Sequence, residues 1–373
     1  MRLAFWASAA IIAYTYLGYA GWLWLRSRWF AKPVKVAPYK PFISIVMVVR
    51  NEASALDGKV RNLLALDYPS DLREIVIASD GSTDGTNEIL SEYAKRENVR
   101  VILSSEARGK AAGINDAVAA ARGEIIVFND ARQKIEPDAV RLLVENFADP
   151  TVGCASGELM LGDPDSGEAM KGMGLYWRIE KKVREWESAS GSVVGATGAL
   201  YAVRRNLLVP VPSETILDDV YIPMQVVRQG ARVVFDPRAH AWDLPNLGTS
   251  REFARKVRTL SGNYQLLQLA PWLLGRENPL RFQFVSHKLL RLLAPFALAT
   301  ALVTSFFLRE PVYRVALGLQ LAFYALGLLA MTQLARGPLA RLADPAFTFV
   351  VLNTAAVVAF ANFVTRRRAV WIR

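Results

Sequence analysis

Cysteine and histidine are nearly missing from this chain: of 373 residues, Cys154 is the one cysteine and His240 and His287 are the two histidines. A lone thiol excludes an internal disulfide and a thiolate cluster, and two histidines leave little for an imidazole-based zinc or iron centre. Any metal would be a hard cation held by oxygen, which means magnesium or manganese on carboxylate and phosphate. Internal repeats, low-complexity tracts and nucleic-acid-binding motifs are also absent. The net charge of +11 is therefore no nucleic-acid footprint. Much of it flanks apolar segments, where basic residues favour anionic lipid.

Charge itself is missing from four stretches, Trp6 to Leu25, Leu292 to Leu308, Val315 to Leu334 and Phe347 to Val364. Each approaches the roughly 20 apolar residues that a spanning helix needs. Arg26, Arg28, Lys32 and Lys35 follow the first stretch with no small-residue cleavage site. That pattern reads as a retained anchor with its basic end in the cytoplasm, not as a signal peptide. Three later spans would put Arg366, Arg367, Arg368 and Arg373 outside, against the positive-inside rule, unless one C-terminal segment is re-entrant. The expected division is an anchor over 1–30, an α/β domain over 41–250 with halves 41–150 and 151–250, and a C-terminal membrane region over 286–373. Between them, over 251–285, Arg255, Lys256 and Arg258 mix with Trp272, Leu273 and Leu274 in the manner of interfacial helices.

From Pro41 to Pro150 apolar runs alternate with helical patterns. Strands are expected at Ile43–Val49, Glu74–Ala78, Val99–Leu103 and Glu124–Phe128, and helices at Ala53–Leu66, Thr83–Arg96 and Lys110–Ala121. This alternation predicts a doubly wound parallel sheet whose carboxyl lip collects Arg50, Asp80, Ser104 and Asp130. From Val152 to Trp242 the pattern is less regular. It gives a charged helix over Leu175–Ser188, a Gly/Ser/Thr loop over Gly191–Gly198, and short strands at Ala199–Val203 and Arg232–Phe235. A helix over Asp218–Gln229, closed by Gly230, lies between those strands.

Chemistry-bearing residues collect at the expected lip. Asp80 ends a buried strand before Gly81-Ser82-Thr83-Asp84, where a carboxylate can accept hydrogen bonds from a ribose or a base, while Asp84 suits a helix cap. The Asn51-Glu52 pair after the first strand fits a ligand contact or a cap equally. Gly109-Lys110 opens a helix, so free amides and an ammonium can act on one phosphate. Asp130 follows the run Ile125 to Phe128 and needs a cation if buried, such as a divalent ion bridging a diphosphate; the alternative is a turn cap. Asp218 and Asp219 open a helix, where they either favour its dipole or supply a base.

Taken in order, these residues resemble family 2 glycosyltransferases of the GT-A fold, the inverting, membrane-associated kind that includes cellulose, hyaluronan and poly-N-acetylglucosamine synthases. The motifs are Val48 to Glu52, Ser79 to Thr86, Gly109-Lys110 through Asn115, Phe128 to Ala131, Gly195 to Gly198, and Leu217-Asp218-Asp219 with Arg228 and Gly230, within residues 42–260. The resemblance implies a Rossmann-like, mostly parallel nucleotide-sugar-binding sheet, with one N-terminal and about three C-terminal membrane helices. It makes 41–150 the nucleotide-sugar half and 151–250 the acceptor half.

It also implies that Glu52 and Asp80 hold the base and ribose, that Lys110 lies near the diphosphate, and that Asp130 matches the first acid of the Asp-x-Asp motif for diphosphate and metal. Asp219 matches the general base of the Thr-Glu-Asp motif. Arg132 stands where a second acid is usual, and repels a cation or pairs with the diphosphate itself. Arg258 keeps a phosphate contact of the Gln-x-x-Arg-Trp motif, whose tryptophan is Thr259 here. The expected protein is an inner-membrane, multi-pass enzyme with a cytoplasmic catalytic domain. It would use Mg2+ or Mn2+, a nucleoside-diphosphate sugar that is UDP-linked, and a lipid-linked or glycan acceptor in surface polysaccharide or glycolipid synthesis, with polysaccharide-assembly partners and no nucleic acid. A processive synthase and a non-catalytic nucleotide-sugar-binding membrane protein are the competing readings.

Overall fold

The run Ile43–Val49 alternates its side chains between two apolar cores. Ile43, Ile45, Met47 and Val49 enter one and Val46 enters the other. A strand buried on both faces must be apolar at nearly every position, and that is why it stands out in the sequence. In the computed structural model, which describes residues 1–163, 168–169, 175–244, 249–331 and 338–365, this strand (β1) lies between β2 (Arg73–Asp80) and β4 (Ile125–Asn129). β3 (Val99–Ser104) pairs with β2 beyond, and all four run parallel.

The remaining strands extend the same sheet. They are β5 (Lys134–Ile135), β6 (Val152–Asp163), β7 (Glu168–Ala169), β8 (Leu200–Arg204) and β9 (Arg232–Asp243). The order is β3-β2-β1-β4-β8-β6-β9-β5, with β7 paired to β6. β8 is antiparallel to β4 and β6, whereas β6 and β9 pair in parallel along most of their length. The second half thus holds two 12-residue strands where a short strand and irregular chain were expected. Their polar members, among them Glu158, Asp236 and His240, mask the alternation.

Helices cover both faces. After α1 (Arg2–Trp29), helices α2 (Ala53–Leu64) and α5 (Ala139–Glu145) pack on one face through Leu56, Val60, Leu143 and Val144. Between them in sequence come α3 (Thr86–Tyr93) and α4 (Lys110–Ala120). α4 covers the opposite face through Ile114 and Ala117. α6 (Leu175–Ser190) precedes α7 (Asp218–Arg228), whose Met224 and Val226 join that second core. α3 begins at Thr86 and not at Thr83, because the Asp84 carboxylate accepts hydrogen bonds from the Thr86 N–H and the Ala53 N–H and so caps α2 and α3 together.

Among the described residues, four helices are long and apolar enough to cross a membrane: α1, α9 (Arg281–Phe307), and the stretches Pro311–Ala330 and Leu339–Val364, which lie in α10 (Pro311–Met331) and α11 (Pro338–Val364). α8 (Thr249–Leu269) runs between the sheet domain and these helices. Gly262 packs on Leu217, while Tyr264 stacks on Phe363 of α11 with ring centroids 5.1 Å apart. The expected interfacial segment over 251–285 is one long helix, a short turn at Pro271–Leu274, and the start of α9. α9 begins about three turns before the uncharged run at Leu292, and those extra turns carry His287, Lys288 and Arg291. The basic tail from Arg366 to Arg373 lies outside the described residues.

Candidate active site

The carboxyl ends of β1 and β4 and the starts of α4 and α7 converge on one cleft, lined by Val48, Lys110, Asn129, Gly198, Tyr201 and Asp218 among others. Lys110 is its electrostatic centre. The Nζ lies 3.1 Å from Asp130 Oδ1 and 3.2 Å from Asp218 Oδ2. Burial works against this ammonium, but Asp130, Asp218 and Asp219 outweigh it and hold the lysine well above its ordinary range. The cation comes from the first turn of α4 and two of the acids from the first turn of α7, so the cluster depends on two helix starts meeting across the sheet lip.

Asp219 is half-buried beside this cluster. Burial, and then the charge on Asp218, push its carboxyl up to about 6, with Lys110 pulling the other way. A Cβ added at Gly198 would sit 3.4 Å from Asp219 Oδ2 and 3.6 Å from Asp130 Oδ2, in ordinary contact with both, so the glycine borders the space these carboxylates share. The backbone carbonyl of Asp219 is fixed by the Ala196 N–H at 2.7 Å. Two buried polar atoms that line or border the cleft, Asn129 Oδ1 and Tyr201 Oη, have no partner among the described residues.

The other expected site residues are already engaged. Asp80 accepts hydrogen bonds from the backbone of Arg108 (2.7 Å) and Gly109 (2.9 Å to Oδ2) and so anchors the loop leading to Lys110. Gly81, at φ +63°, lets that loop close; a Cβ there would lie 2.6 Å from the Ala107 nitrogen. Glu52 pairs with Arg132, whose Nε is 2.9 Å and 3.1 Å from the two carboxylate oxygens. The Arg132 side chain is 60% exposed, and besides Glu52 it feels the charges of Asp243 and Asp130. Arg258 is half-buried on α8, one turn before the Gly262 contact with Leu217, which brings it to the side of α8 that meets the start of α7.

Two features escaped the sequence reading. Lys59 is buried beneath the Asp130 loop, with Nζ 2.6 Å from the Gln133 carbonyl, and burial pushes its pKa down to about 7. The signal was present, since position 59 falls on the apolar stripe of Leu56, Val60 and Leu63. Asp218, expected with Asp219 to favour the helix dipole or supply a base, instead bonds Lys110 directly. As for a metal, no three His, Cys, Asp or Glu side chains converge on a cation position among the described residues, and Asp130 Oδ1 is taken by Lys110.

A sheet covered on both faces, with a charged cleft at its carboxyl lip and helices long and apolar enough to cross a membrane, makes this a GT-A fold joined to candidate membrane spans. Residues 44–209 match the family model described as glycosyl transferase family 2. The chain is similar to the poly-beta-1,6-N-acetyl-D-glucosamine synthases of Staphylococcus epidermidis, at 24% identity over 234 residues, and of Staphylococcus aureus (strain COL), at 24% over 229. Those matches cover 62% and 60% of this chain and 56% and 55% of the relatives, so the chain spans little more than half the length of the curated relatives it matches. Among solved structures, a mannosyltransferase from Pyrobaculum calidifontis in complex with GDP-Man and Mn2+ shares the fold. The TM-score is 0.75, at 24% identity, and the match covers 96% of this chain and 98% of that one.

Proposed function

We propose that this protein transfers one sugar from a nucleoside diphosphate to a membrane-held lipid or glycan acceptor, with Asp219 as the general base. The observation that carries this reading is the half-buried Asp219 carboxyl, raised to about 6 and sharing the space above Gly198 with Asp130, beside a buried lysine. A base with that pKa is ionised at neutral pH yet takes a proton more readily than an ordinary aspartate. Asp219 removes the proton from the acceptor hydroxyl, whose oxygen bonds to the anomeric carbon. The bond from that carbon to the diphosphate oxygen breaks on the opposite side, and the configuration inverts. Lys110 meets the negative charge that grows on the departing diphosphate. Glu52 and Asp80 border the nucleotide; Asp80 also shapes the loop that carries Lys110, and Arg132 acts through Glu52.

A magnesium or manganese ion at Asp130 would neutralise diphosphate charge. The residues present do not compose such a site alone, with one carboxylate already held by a lysine and Arg132 close by, so no step is assigned to a metal. Similarity to polysaccharide synthases supports a role in cell-surface polysaccharide or glycolipid synthesis, while Thr259 in place of a stacking tryptophan favours single transfers over processive ones. Membranes holding the full chain, given a panel of UDP- and GDP-linked sugars with and without EDTA, should release nucleoside diphosphate with one donor class. Release from no donor would overturn the reading. The catalytic domain faces the cytoplasm in this account. In a Cys154→Ser background, Phe30→Cys and Ser250→Cys should resist an impermeant thiol reagent until cells are lysed, and labelling in intact cells would reverse the orientation.

A further inference from the structure

His287 lies in α9 where the helix loosens into a π-helical turn over Val285–Leu289. Such a turn inserts a residue and re-aims its side chains, and it is often found at functional positions. Here it aims the imidazole between two buried carboxylates of α6, with Nδ1 2.8 Å from Glu187 Oε1 and Nε2 3.0 Å from Glu180 Oε1. Each ring nitrogen faces a carboxylate oxygen, so the ring is gripped from both sides by α6. Arg291 donates to Glu180 at 2.7 Å, and the Tyr19 hydroxyl of α1 donates to Glu187 at 2.5 Å. Burial opposes ionisation of both glutamates, but Arg291 and His287 hold Glu180, and His287 holds Glu187, below the usual carboxylate range. α1 has a π-helical turn of its own at Tyr14–Gly18, and the two turns meet where Tyr14 Oη and Ser286 Oγ lie 2.9 Å apart.

The cluster continues toward the chemistry. Glu187 Oε2 accepts the Val194 N–H at 3.2 Å. Val194 belongs to the loop before β8, in which three further amides are committed: Val193 N–H to the Val233 carbonyl, Ala196 N–H to the Asp219 carbonyl, and Thr197 N–H to Ser156 Oγ. One carboxylate therefore bonds a membrane-helix histidine on one side and, on the other, the loop that fixes Asp219. Burying so much charge is costly, and apolar residues would pack α6 on α9 at less expense. A polar cluster in that place specifies one arrangement of the helices.

We propose that His287 is a positioning residue: held between Glu180 and Glu187, it registers the membrane helices against the 191–198 loop and so sets the placement of Asp219. The proposal rests on Asp219 being the base, and it makes the membrane bundle part of the catalytic apparatus as well as an anchor. It predicts a split in kinetic constants. In the full-length protein, His287→Ala should lower kcat about 3- to 30-fold, the span of typical coupling through a packed network, with donor KM and nucleotide-binding stoichiometry unchanged. Amide hydrogen exchange over residues 191–198 should accelerate. Should His287→Ala fail to bind nucleotide at all, Glu187→Gln, which keeps shape and loses charge, is measured in its place and should show the same split and the same faster exchange.

Unchanged exchange over 191–198 in the folded variant would overturn the coupling, whatever Asp219 does. Faster exchange with full kcat, or a loss confined to donor KM, would overturn the positioning role. An Asp219→Asn control run alongside separates the two claims: full turnover there removes the base assignment, while the exchange result still decides whether His287 holds the loop.

Discussion

At Asp80 the backbone of Arg108 and Gly109 delivers N–H groups to the carboxylate, whereas at Asp219 burial and the neighbouring charge of Asp218 act against ionisation. Asp80 terminates a strand and is spent on holding a loop. Asp219 opens a helix, borders open space above Gly198, and keeps a carboxyl raised to about 6. In the proposed reading the contrast separates a carboxylate held by backbone donors from one left to take a proton, and the separation comes from the donors around each and not from depth of burial alone.

The sharpest way to break the contrast is Asp219→Asn. An amide keeps the shape and cannot take the proton, so turnover should fall about 10²- to 10⁴-fold with donor affinity nearly intact, as single-turnover rates and nucleotide titration would register. Next in size is Lys110→Met, which leaves Asp130 and Asp218 facing each other without a cation. Breaking a buried pair of this kind costs about 3 kcal/mol, visible as a lower unfolding temperature in detergent together with weaker donor binding.

A smaller effect has a sign fixed by linkage. The Asp219 carboxyl titrates at about 6 in the fold and near 4 in an unfolded chain, so its ionisation destabilises the fold above pH 6 and has no effect below about pH 4. Asp219→Asn should therefore be more stable than the native chain at pH 7.5, by on the order of 1–2 kcal/mol, with the difference gone at pH 4. Arg132→Ala should do least. Its side chain is 60% exposed, so loss of the Glu52 pair should change stability by less than about 1 kcal/mol while raising donor KM several-fold.

The two halves of the sheet differed in how openly the sequence announced them. β1, β2 and β4 are buried on both faces and read as unbroken apolar runs, so the parallel half and its lip residues were legible one strand at a time. β6 and β9 carry Glu158, Asp236 and His240 within long strands, each partnered across the fold by Lys181, Asn146 and Glu136, and no local pattern reveals those partners. The site divided the same way. Asp80, Lys110, Asp130 and Asp219 stood at recognisable element ends. That Lys110 would bridge to Asp218, or that Arg132 would be taken by Glu52, depended on where α4, α7 and the Asp130 loop meet, and spacing along the chain does not encode that.

The pH dependence of the single-turnover transfer rate at saturating donor tests the assignment of Asp219 most directly. The native protein should lose activity as pH falls through about 6, with a limiting slope of one proton, because a protonated Asp219 cannot accept the acceptor's hydrogen. The residual activity of Asp219→Asn should lack that limb. An acid limb near 6 that persists unchanged in Asp219→Asn would assign the titrating group elsewhere and contradict the account.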